Sequence, residues 1–284
     1  MFDALRPRRS ALYLPANRES AVAKARTLAA DCVILDLEDA VQPDAKEAAR
    51  AAAVAAAAAG GWACELLVRV NGLSTAWCEA DFAAVRAGGF AGVVVPKVGS
   101  AEEAARAVVL AGGLPVWAMI ETPQGVLAAA EIAKADGVVG LLAGLGDLGK
   151  ELRATPDFGR QAFLYSLSAM VVAARAAGKL VLDGVYMDVK DEAGLVAEAR
   201  QGLAMGFDGK TLVHPAQVDP CNAVFSPSVE SLEDARGLIE AYEAGLAEGR
   251  GVTTYKGRLI EVLHVADARR KLAFAELIAG RIAG

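Results

Sequence analysis

The sequence lacks several features that mark other classes of protein. It has no run of Leu, Ile, Val and Phe long enough to cross a bilayer, and no apolar block with a cleavage site follows its basic start. Its four cysteines show no CxxC or other zinc-type spacing, which favours buried, reduced thiols. The net charge of −6 argues against general nucleic-acid binding. We therefore expect a cytoplasmic protein whose partners include neither membrane nor nucleic acid.

What the sequence does contain is a regular alternation of two kinds of segment. Short apolar runs rich in β-branched residues alternate with Ala-rich stretches of helical spacing. The apolar runs are continuous, as expected for strands buried on both faces of a parallel sheet. The predicted strands are Ala11–Ala16, Cys32–Glu38, Leu66–Asn71, Gly92–Val98, Val116–Thr122, Val138–Gly144, Lys179–Met187 and Gly209–Pro215. The predicted helices are Glu19–Ala30, Asp44–Ala59, Ala76–Ala87, Ala101–Ala111, Gln124–Ala135, Gly159–Ala177 and Asp191–Met205.

Eight strands alternating with helices predict an α/β protein with a (β/α)8 TIM barrel. The alternative is an open doubly wound sheet, but the turn after the first strand, Pro15–Arg18, lacks the G-x-G-x-x-G dinucleotide signature. We predict that residues 1–224 form the barrel. Residues 225–284 are predicted to form a C-terminal extension of helix, hairpin and helix, which is too short for a core of its own. We expect it to pack on the barrel or on a neighbouring subunit.

Charged side chains cluster at the carboxyl ends of the predicted strands, where the active sites of such barrels lie. Burying a charge is costly unless it is paired or bound to a metal. The large number of charged residues at strand ends therefore indicates a functional site. Asp36 and Asp183 lie inside their strands and are interpreted as structural. His214 is interpreted as a structural hydrogen-bonding residue, with a catalytic proton donor as the alternative. The set comprises Asp36, Glu38, Asp39, Arg69, Lys97, Glu121, Asp147, Asp183, Asp188, Lys210 and His214.

Glu121 and Asp147 are the predicted metal ligands. They follow two apolar strands that are neighbours in the predicted barrel. Two adjacent carboxylates repel each other unless a proton or a cation lies between them. Oxygen donors without nearby His or Cys suit Mg²⁺, or Mn²⁺, rather than zinc. A proton-sharing acid pair without metal is the alternative. The turn Gly144, Leu145 and Gly146 adds backbone N–H groups that are expected to bind a substrate carboxylate.

Two basic features complete the predicted site. Arg69 lies within an apolar strand and needs an anionic partner, either Glu38 or Asp39 or a substrate carboxylate. The segment from Arg6 to Arg26 is the most basic part of the chain. It is expected either to receive phosphates at the barrel rim or, for its first arginines, to be a solvated basic terminus.

Several short motifs, taken in order, resemble the HpcH/HpaI aldolase/citrate lyase family, in particular citrate lyase β-subunit-like and malyl-CoA lyase-like proteins. Together they are highly specific and cover most of the chain. They are Leu14–Arg18, Leu35–Val41, Val68–Asn71, Pro96–Lys97, Ile120–Thr122, Gly144–Leu148 and Val213–Val218.

The resemblance implies a barrel of the phosphoenolpyruvate/pyruvate type, assembled as a homotrimer or hexamer. It implies Mg²⁺ on Glu121 and Asp147, and Arg69 on the oxo acid or the thioester carbonyl. It also implies supporting roles for two acids and contacts with coenzyme A by three residues of the first strand and helix. The supporting acids are Glu38 and Asp39, and the coenzyme A residues are Tyr13, Arg18 and Lys24.

One departure from the family pattern concerns the catalytic acid or base. Where longer members carry Asp-x-Pro after a short strand, with the Asp reaching into a neighbouring subunit, this chain has Glu261 and no following proline. Either Glu261 serves in that role with a shifted substrate, or the lyase activity is reduced, because a misplacement of ~1 Å can cost about 100-fold in rate.

The expected function is therefore that of a Mg²⁺-dependent carbon–carbon lyase. Its substrates are an acyl-CoA and a 2-oxo acid, joined in a 3-hydroxyacyl-CoA such as malyl-, citramalyl- or citryl-CoA. Three alternatives stay open. They are an aldolase acting on free hydroxy-oxo acids without coenzyme A, a β subunit of a citrate lyase complex, and a protein that only binds metabolites.

Overall fold

The structure is a closed barrel of parallel strands. It is a computed structural model that describes residues 2–155 and 159–283. All neighbouring barrel strands pair in parallel, and the last closes on the first through Ser10–Leu12 and Lys210–Leu212. The predicted TIM barrel is confirmed, and the open-sheet alternative is wrong. The strands are β1 (Ser10–Pro15), β2 (Cys32–Asp36), β3 (Glu65–Arg69), β4 (Gly92–Val95), β5 (Val116–Ile120), β6 (Val138–Ala143), β7 (Leu180–Asp183) and β8 (Gly209–Leu212).

Helices follow the strands around the barrel, and most agree with the predicted ones. The predicted helix Gln124–Ala135 is interrupted at Ala128, where φ is −95° and ψ is 6°, so that two short helices replace one. The barrel-unit helices are α1 (Glu19–Ala25), α2 (Lys46–Ala58), α3 (Cys78–Ala87), α4 (Ala101–Ala111), α5 (Pro123–Leu127), α6 (Ala129–Lys134), α7 (Leu145–Leu152), α8 (Leu164–Ala176), α9 (Glu192–Met205) and α10 (Val218–Phe225).

The core has two layers because the strand residues alternate between the barrel interior and the surrounding helices. The interior layer includes Ile34, Leu67, Trp117 and Leu142, all fully buried. Trp117 fits because Gly140, on β6, has no side chain. A Cβ at that position would lie 2.3 Å from the Trp117 ring. Interior packing of this kind makes the barrel a rigid support for residues at its rim.

The amino ends of the first strands are closed by buried ion pairs. Arg8 binds Glu65 through two hydrogen bonds of 2.6 and 2.8 Å, and Arg9 binds Asp31 in the same way at 2.8 and 2.9 Å. Neither expectation for the start of the basic segment holds for these two arginines. They are 2% and 8% exposed and lie before β1, so they are neither solvated nor at the carboxyl rim.

The chain divides into two compact units, the barrel unit with its main segment Arg8–Phe225 and a second unit formed mainly by the residues from Ser226 onward. The second unit contains α11 (Val229–Ala247), the strands β9 (Thr253–Tyr255) and β10 (Arg258–Ile260), and α12 (Val262–Ala283). The hairpin turns through Lys256 and Gly257, with φ of 48° and 76°, as in a type I′ turn. In the part of the chain that the structure describes, no helix combines the length and apolarity needed to span a membrane.

Candidate active site

Polar side chains converge at the carboxyl end of the barrel, as the sequence predicts. Their positions follow from five consecutive strands, β2 to β6, because parallel strands present their carboxyl ends on one rim. We call this set the rim cluster. It consists of Asp36, at the end of β2, with Glu38 and Asp39 just beyond it, Arg69 at the end of β3, Lys97 after β4, Glu121 after β5, and Asp147 in the first turn of α7.

Arg69 is held by a neighbouring strand rather than by a ligand. Its Nε and Nη2 donate to the two oxygens of Asp36 at 2.7 and 2.6 Å, since the two residues are paired in the β2–β3 register. Burial works to raise the pKa of Asp36, but the hydrogen bonds and charge of Arg69 outweigh it and lower the pKa. The third nitrogen, Nη1, lies 3.0 Å from Glu38 Oε2 and 3.5 Å from Asp39 Oδ2. Arg69 therefore directs one nitrogen towards the rim.

Lys97 lies between three acids of the cluster. Its Nζ is 2.8 Å from Glu38 Oε1 and 2.9 Å from Asp147 Oδ2, and its backbone N–H donates to Glu121 Oε1 at 2.8 Å. Burial works to lower the pKa of Lys97, but the hydrogen bonds to Glu38 and Asp147 outweigh it and raise the pKa. Lys97 is thus a cation at neutral pH. It contacts both predicted metal ligands, Glu121 through its backbone N–H and Asp147 through Nζ.

Glu121 is the acid of this site with the least compensation for its charge. It is 2% exposed. Burial, with the nearby charge of Glu38 next in importance, raises the pKa of Glu121 to about 7. Burial also raises the pKa of Glu38, despite the neighbouring Arg69 and Lys97. Such shifts arise where carboxylates crowd together away from water, and they indicate a local deficit of positive charge.

Gly144, just before α7, makes room for Glu121. A Cβ on Gly144 would lie 2.4 Å from Glu121 Cβ and 2.6 Å from Glu121 Oε2, whereas a Cβ on Gly146 would meet nothing within 4 Å. The predicted flexible turn is in fact the start of α7, which places Leu145 and Gly146 in its first turn. Backbone N–H groups of a first helical turn have no partner within the helix and attract anions. This position still suits the expected binding of a substrate carboxylate.

The rim cluster fits a hard divalent cation. Five carboxylates, those of Asp36, Glu38, Asp39, Glu121 and Asp147, face the cations of Arg69 and Lys97 within the cluster. A third cation, Lys46, lies near three of these acids and donates to the backbone carbonyl oxygens of Leu37 and Glu38. Across residues 2–155 and 159–283, no three or more His, Cys, Asp or Glu side chains are grouped so as to hold a metal. Magnesium needs only one or two carboxylates, because water and substrate oxygens complete its ligands. Glu121 and Asp147, which both contact Lys97, can supply them.

The residues expected to contact coenzyme A lie in different surroundings. Tyr13 is within β1, and its ring packs under the Arg69 guanidinium at 4.9 Å from the ring centroid. Arg18 precedes α1 and Lys24 lies in its last turn, and both side chains are exposed. Arg18 and Lys24 are therefore accessible, just before α1 and in its last turn, and Tyr13 lies beside the rim cluster.

Glu261 belongs to the second unit, where it precedes α12. Its backbone N–H donates to His264 Nδ1 at 3.1 Å, so His264 caps the start of α12. Glu261 is half-buried. Its expected role as acid or base stays a prediction.

The interpretations of Asp183 and His214 as structural residues agree with their contacts. Asp183 binds Arg160 at 2.7 and 2.9 Å and is fully buried. His214 Nδ1 accepts from the backbone N–H of Ala216, which caps a short 3-10 turn.

Lys97 is the residue of the rim cluster that received no role from the sequence. The only signal was its position in Pro96–Lys97 at a strand end.

Comparisons with known proteins point to one family. The family model described as HpcH/HpaI aldolase/citrate lyase matches residues 9–215. The (3S)-malyl-CoA thioesterase of Cereibacter sphaeroides is 46% identical over 276 residues, which cover 96% of both chains. The citrate lyase subunit beta of Escherichia coli is 33% identical over 96% of this chain and 94% of its own. The crystal structure of CitE from Mycobacterium tuberculosis with magnesium, acetoacetate and coenzyme A has a TM-score of 0.82, at 34% identity, and covers 96% of this chain and 99% of that one.

Proposed function

The chain belongs to the HpcH/HpaI aldolase/citrate lyase family, and we propose that it cleaves a coenzyme A thioester of a short hydroxy-dicarboxylic acid, of the malyl-CoA class, with Mg²⁺ bound by Glu121 and Asp147. The observation that carries this proposal is the rim cluster, in which the two acids and Arg69 meet at the carboxyl end of the barrel. Relatives that act on malyl-CoA, or bind magnesium and coenzyme A, support the choice of substrate and metal.

Each part of the cluster has a distinct task in this proposal. Glu121 and Asp147 would hold the magnesium ion, which would supply a Lewis acid for a substrate oxygen. Arg69 binds the substrate carboxylate or the thioester carbonyl through Nη1, because its other two donors are committed to Asp36. The first N–H groups of α7, at Leu145 and Gly146, bind a second oxygen of the anion.

Glu38 is the proposed proton acceptor at the rim. It lies 3.0 Å from Arg69 Nη1 and 2.8 Å from Lys97 Nζ. Burial raises the pKa of Glu38 and outweighs the charges of these two cations, which work to lower it, so Glu38 is a stronger base than an exposed glutamate. Asp39, whose side chain is 62% exposed, supports Arg69 from the solvent side.

Two bonds of such a substrate are candidates for cleavage. Thioester hydrolysis is the first, because the thioesterase relative of Cereibacter sphaeroides is 46% identical, against 33% for citrate lyase subunit beta of Escherichia coli. In it, water attacks the carbonyl carbon, Glu38 takes a proton from that water, and the C–S bond breaks to release free coenzyme A. Carbon–carbon cleavage to an acyl-CoA and a 2-oxo acid is the second candidate. It is favoured by the family match and by the acid pair that the sequence predicts.

Product analysis tests the proposal and separates the two reactions. We would incubate the purified chain with Mg²⁺ and malyl-CoA, and follow free thiol, malate, acetyl-CoA and glyoxylate by chromatography. Free thiol with malate identifies hydrolysis, and acetyl-CoA with glyoxylate identifies carbon–carbon cleavage. Turnover of a free hydroxy-oxo acid, with none of any coenzyme A thioester, would instead support an aldolase that does not use coenzyme A.

A further inference from the structure

Lys97 has an unusual backbone conformation that serves the site. Its φ is 55°, in the left-handed region that residues with a Cβ seldom occupy, and it follows Pro96 at the end of β4. This conformation directs its backbone N–H to Glu121 Oε1 at 2.8 Å. Strained conformations of this kind persist where the surrounding structure holds them, and they concentrate at functional sites.

The side chain of the same residue acts on the other proposed ligand. Nζ contacts Asp147 Oδ2 at 2.9 Å and Glu38 Oε1 at 2.8 Å, and the side chain is 43% exposed. Arg69 is only 9% exposed and is bound through two nitrogens to Asp36. Within the rim cluster, Lys97 is therefore the cation with room to move, because its long stem reaches solvent.

We propose that Lys97 occupies the place of the divalent cation on Asp147 until the cation binds. Its N–H orients Glu121, and its ammonium pairs with Asp147 until Asp147 is released to the metal, when Lys97 stays on Glu38. Asp147 is released because the Lys97 ammonium and the divalent cation compete for its carboxylate. The two cations repel each other at contact distance, so they cannot both bind there. This inference rests on the proposed metal role of Glu121 and Asp147.

Manganese binding to the full-length chain tests the inference without any assay of turnover. Free Mn²⁺ would be measured by electron paramagnetic resonance during titration of chelator-treated protein. We expect Lys97→Met to bind Mn²⁺ about fivefold more tightly, the effect of removing a partly exposed competing ion pair. A merely structural role for Lys97 would weaken binding or leave it unchanged, and either result would overturn the inference.

Two further variants make the outcome decisive. Lys97→Gly removes the ammonium, keeps the N–H to Glu121 and adopts positive φ without strain, so it should fold and bind as tightly as Lys97→Met. Lys134→Met, an exposed position on α6, makes the same change in net charge and should leave the affinity as it is. If the unaltered chain and Glu121→Gln bind Mn²⁺ equally, the proposed metal site itself is wrong. If Glu121→Gln weakens binding but neither Lys97 variant tightens it, only the role of Lys97 is wrong.

Discussion

The buried pair of Asp36 and Arg69 keeps the arginine in place before any substrate arrives. Asp36 accepts two hydrogen bonds from Arg69 and two more from the backbone N–H groups of Glu38 and Ala40. The same carboxylate therefore orients the arginine and the loop that carries the proposed base. A group that positions others in this way need not touch substrate, which agrees with its interpretation as structural.

Replacing Asp36 by Asn should destabilise the protein by about 2–4 kcal/mol at neutral pH, because it leaves a buried guanidinium without its main partner. The folded pKa of Asp36 lies below its ordinary value, so its contribution is complete above about pH 4 and is lost as the pH falls through the folded pKa. Urea denaturation at several pH values measures both effects.

The control for this prediction is Asp39→Asn. Asp39 is 3.5 Å from the same arginine and its side chain is 62% exposed, so the change should cost less than about 1 kcal/mol. An Asp36→Asn deficit that is no smaller at pH 3 than at pH 7 would contradict the assigned direction of the pKa shift.

Glu121→Gln tests the metal proposal through stability as well as turnover. The unaltered chain should gain thermal stability from Mg²⁺, because a ligand that binds only the folded state raises its stability by mass action. Glu121→Gln should lose both this gain and catalytic turnover, as measured by thermal denaturation with and without Mg²⁺. The control Glu131→Gln, at an exposed position on α6, should keep both. A full Mg²⁺-dependent shift in Glu121→Gln would show that the cation binds elsewhere.

Among the secondary-structure elements, α7 departs most from the sequence-based prediction. Gly144, Gly146 and Gly149 lower the helix propensity of this stretch, so it was interpreted as a turn. It is helical because Leu148 is fully buried and anchors the segment, and tertiary packing of this kind outweighs local preference. The barrel strands were predictable because their apolar runs are continuous and regularly spaced.

The turn between β6 and α7 supplies a matched pair of substitutions. Gly144→Ala should push Glu121 out of position, since its Cβ would overlap the glutamate, and should lower kcat/KM by about 100-fold. Gly146→Ala adds the same methyl group two residues on, where it meets no protein atom within 4 Å and leaves the N–H group in place, so it should cost much less than Gly144→Ala. Steady-state kinetics measures kcat/KM for both variants. Equal losses would mean that the turn needs glycine for flexibility rather than for space.

The candidate site was predictable in part. Glu121, Asp147 and Arg69 were found from their positions at strand ends, because a barrel gathers those ends on one rim. The central position of Lys97 was not predictable from the sequence, because it depends on a left-handed backbone and on three acids from other strands. The burial of Arg8 and Arg9 was also missed, because their partners Glu65 and Asp31 come from distant parts of the chain.

At the scale of the whole molecule, the expected homotrimer or hexamer and the cytoplasmic location stay predictions. The expectation that the C-terminal extension is too short for a core of its own is wrong, because Tyr242, Ile260 and Val265 form a small core in the second unit. This unit carries Glu261 directly after β10. The expected role of Glu261 as acid or base requires it to reach a rim cluster, in the same chain or in a neighbour.

Mixing two inactive variants distinguishes these possibilities. If Glu261 acts on a neighbouring subunit, Glu121→Gln and Glu261→Gln should each be inactive alone. Subunits exchanged in equal amounts should then regain about a quarter of the full activity, since a quarter of the sites combine an intact rim with an intact neighbour in a ring of head-to-tail contacts. If Glu261 acts within its own chain, every subunit carries a defect and mixing restores nothing. Full activity of Glu261→Gln alone would exclude Glu261 as acid or base in either arrangement.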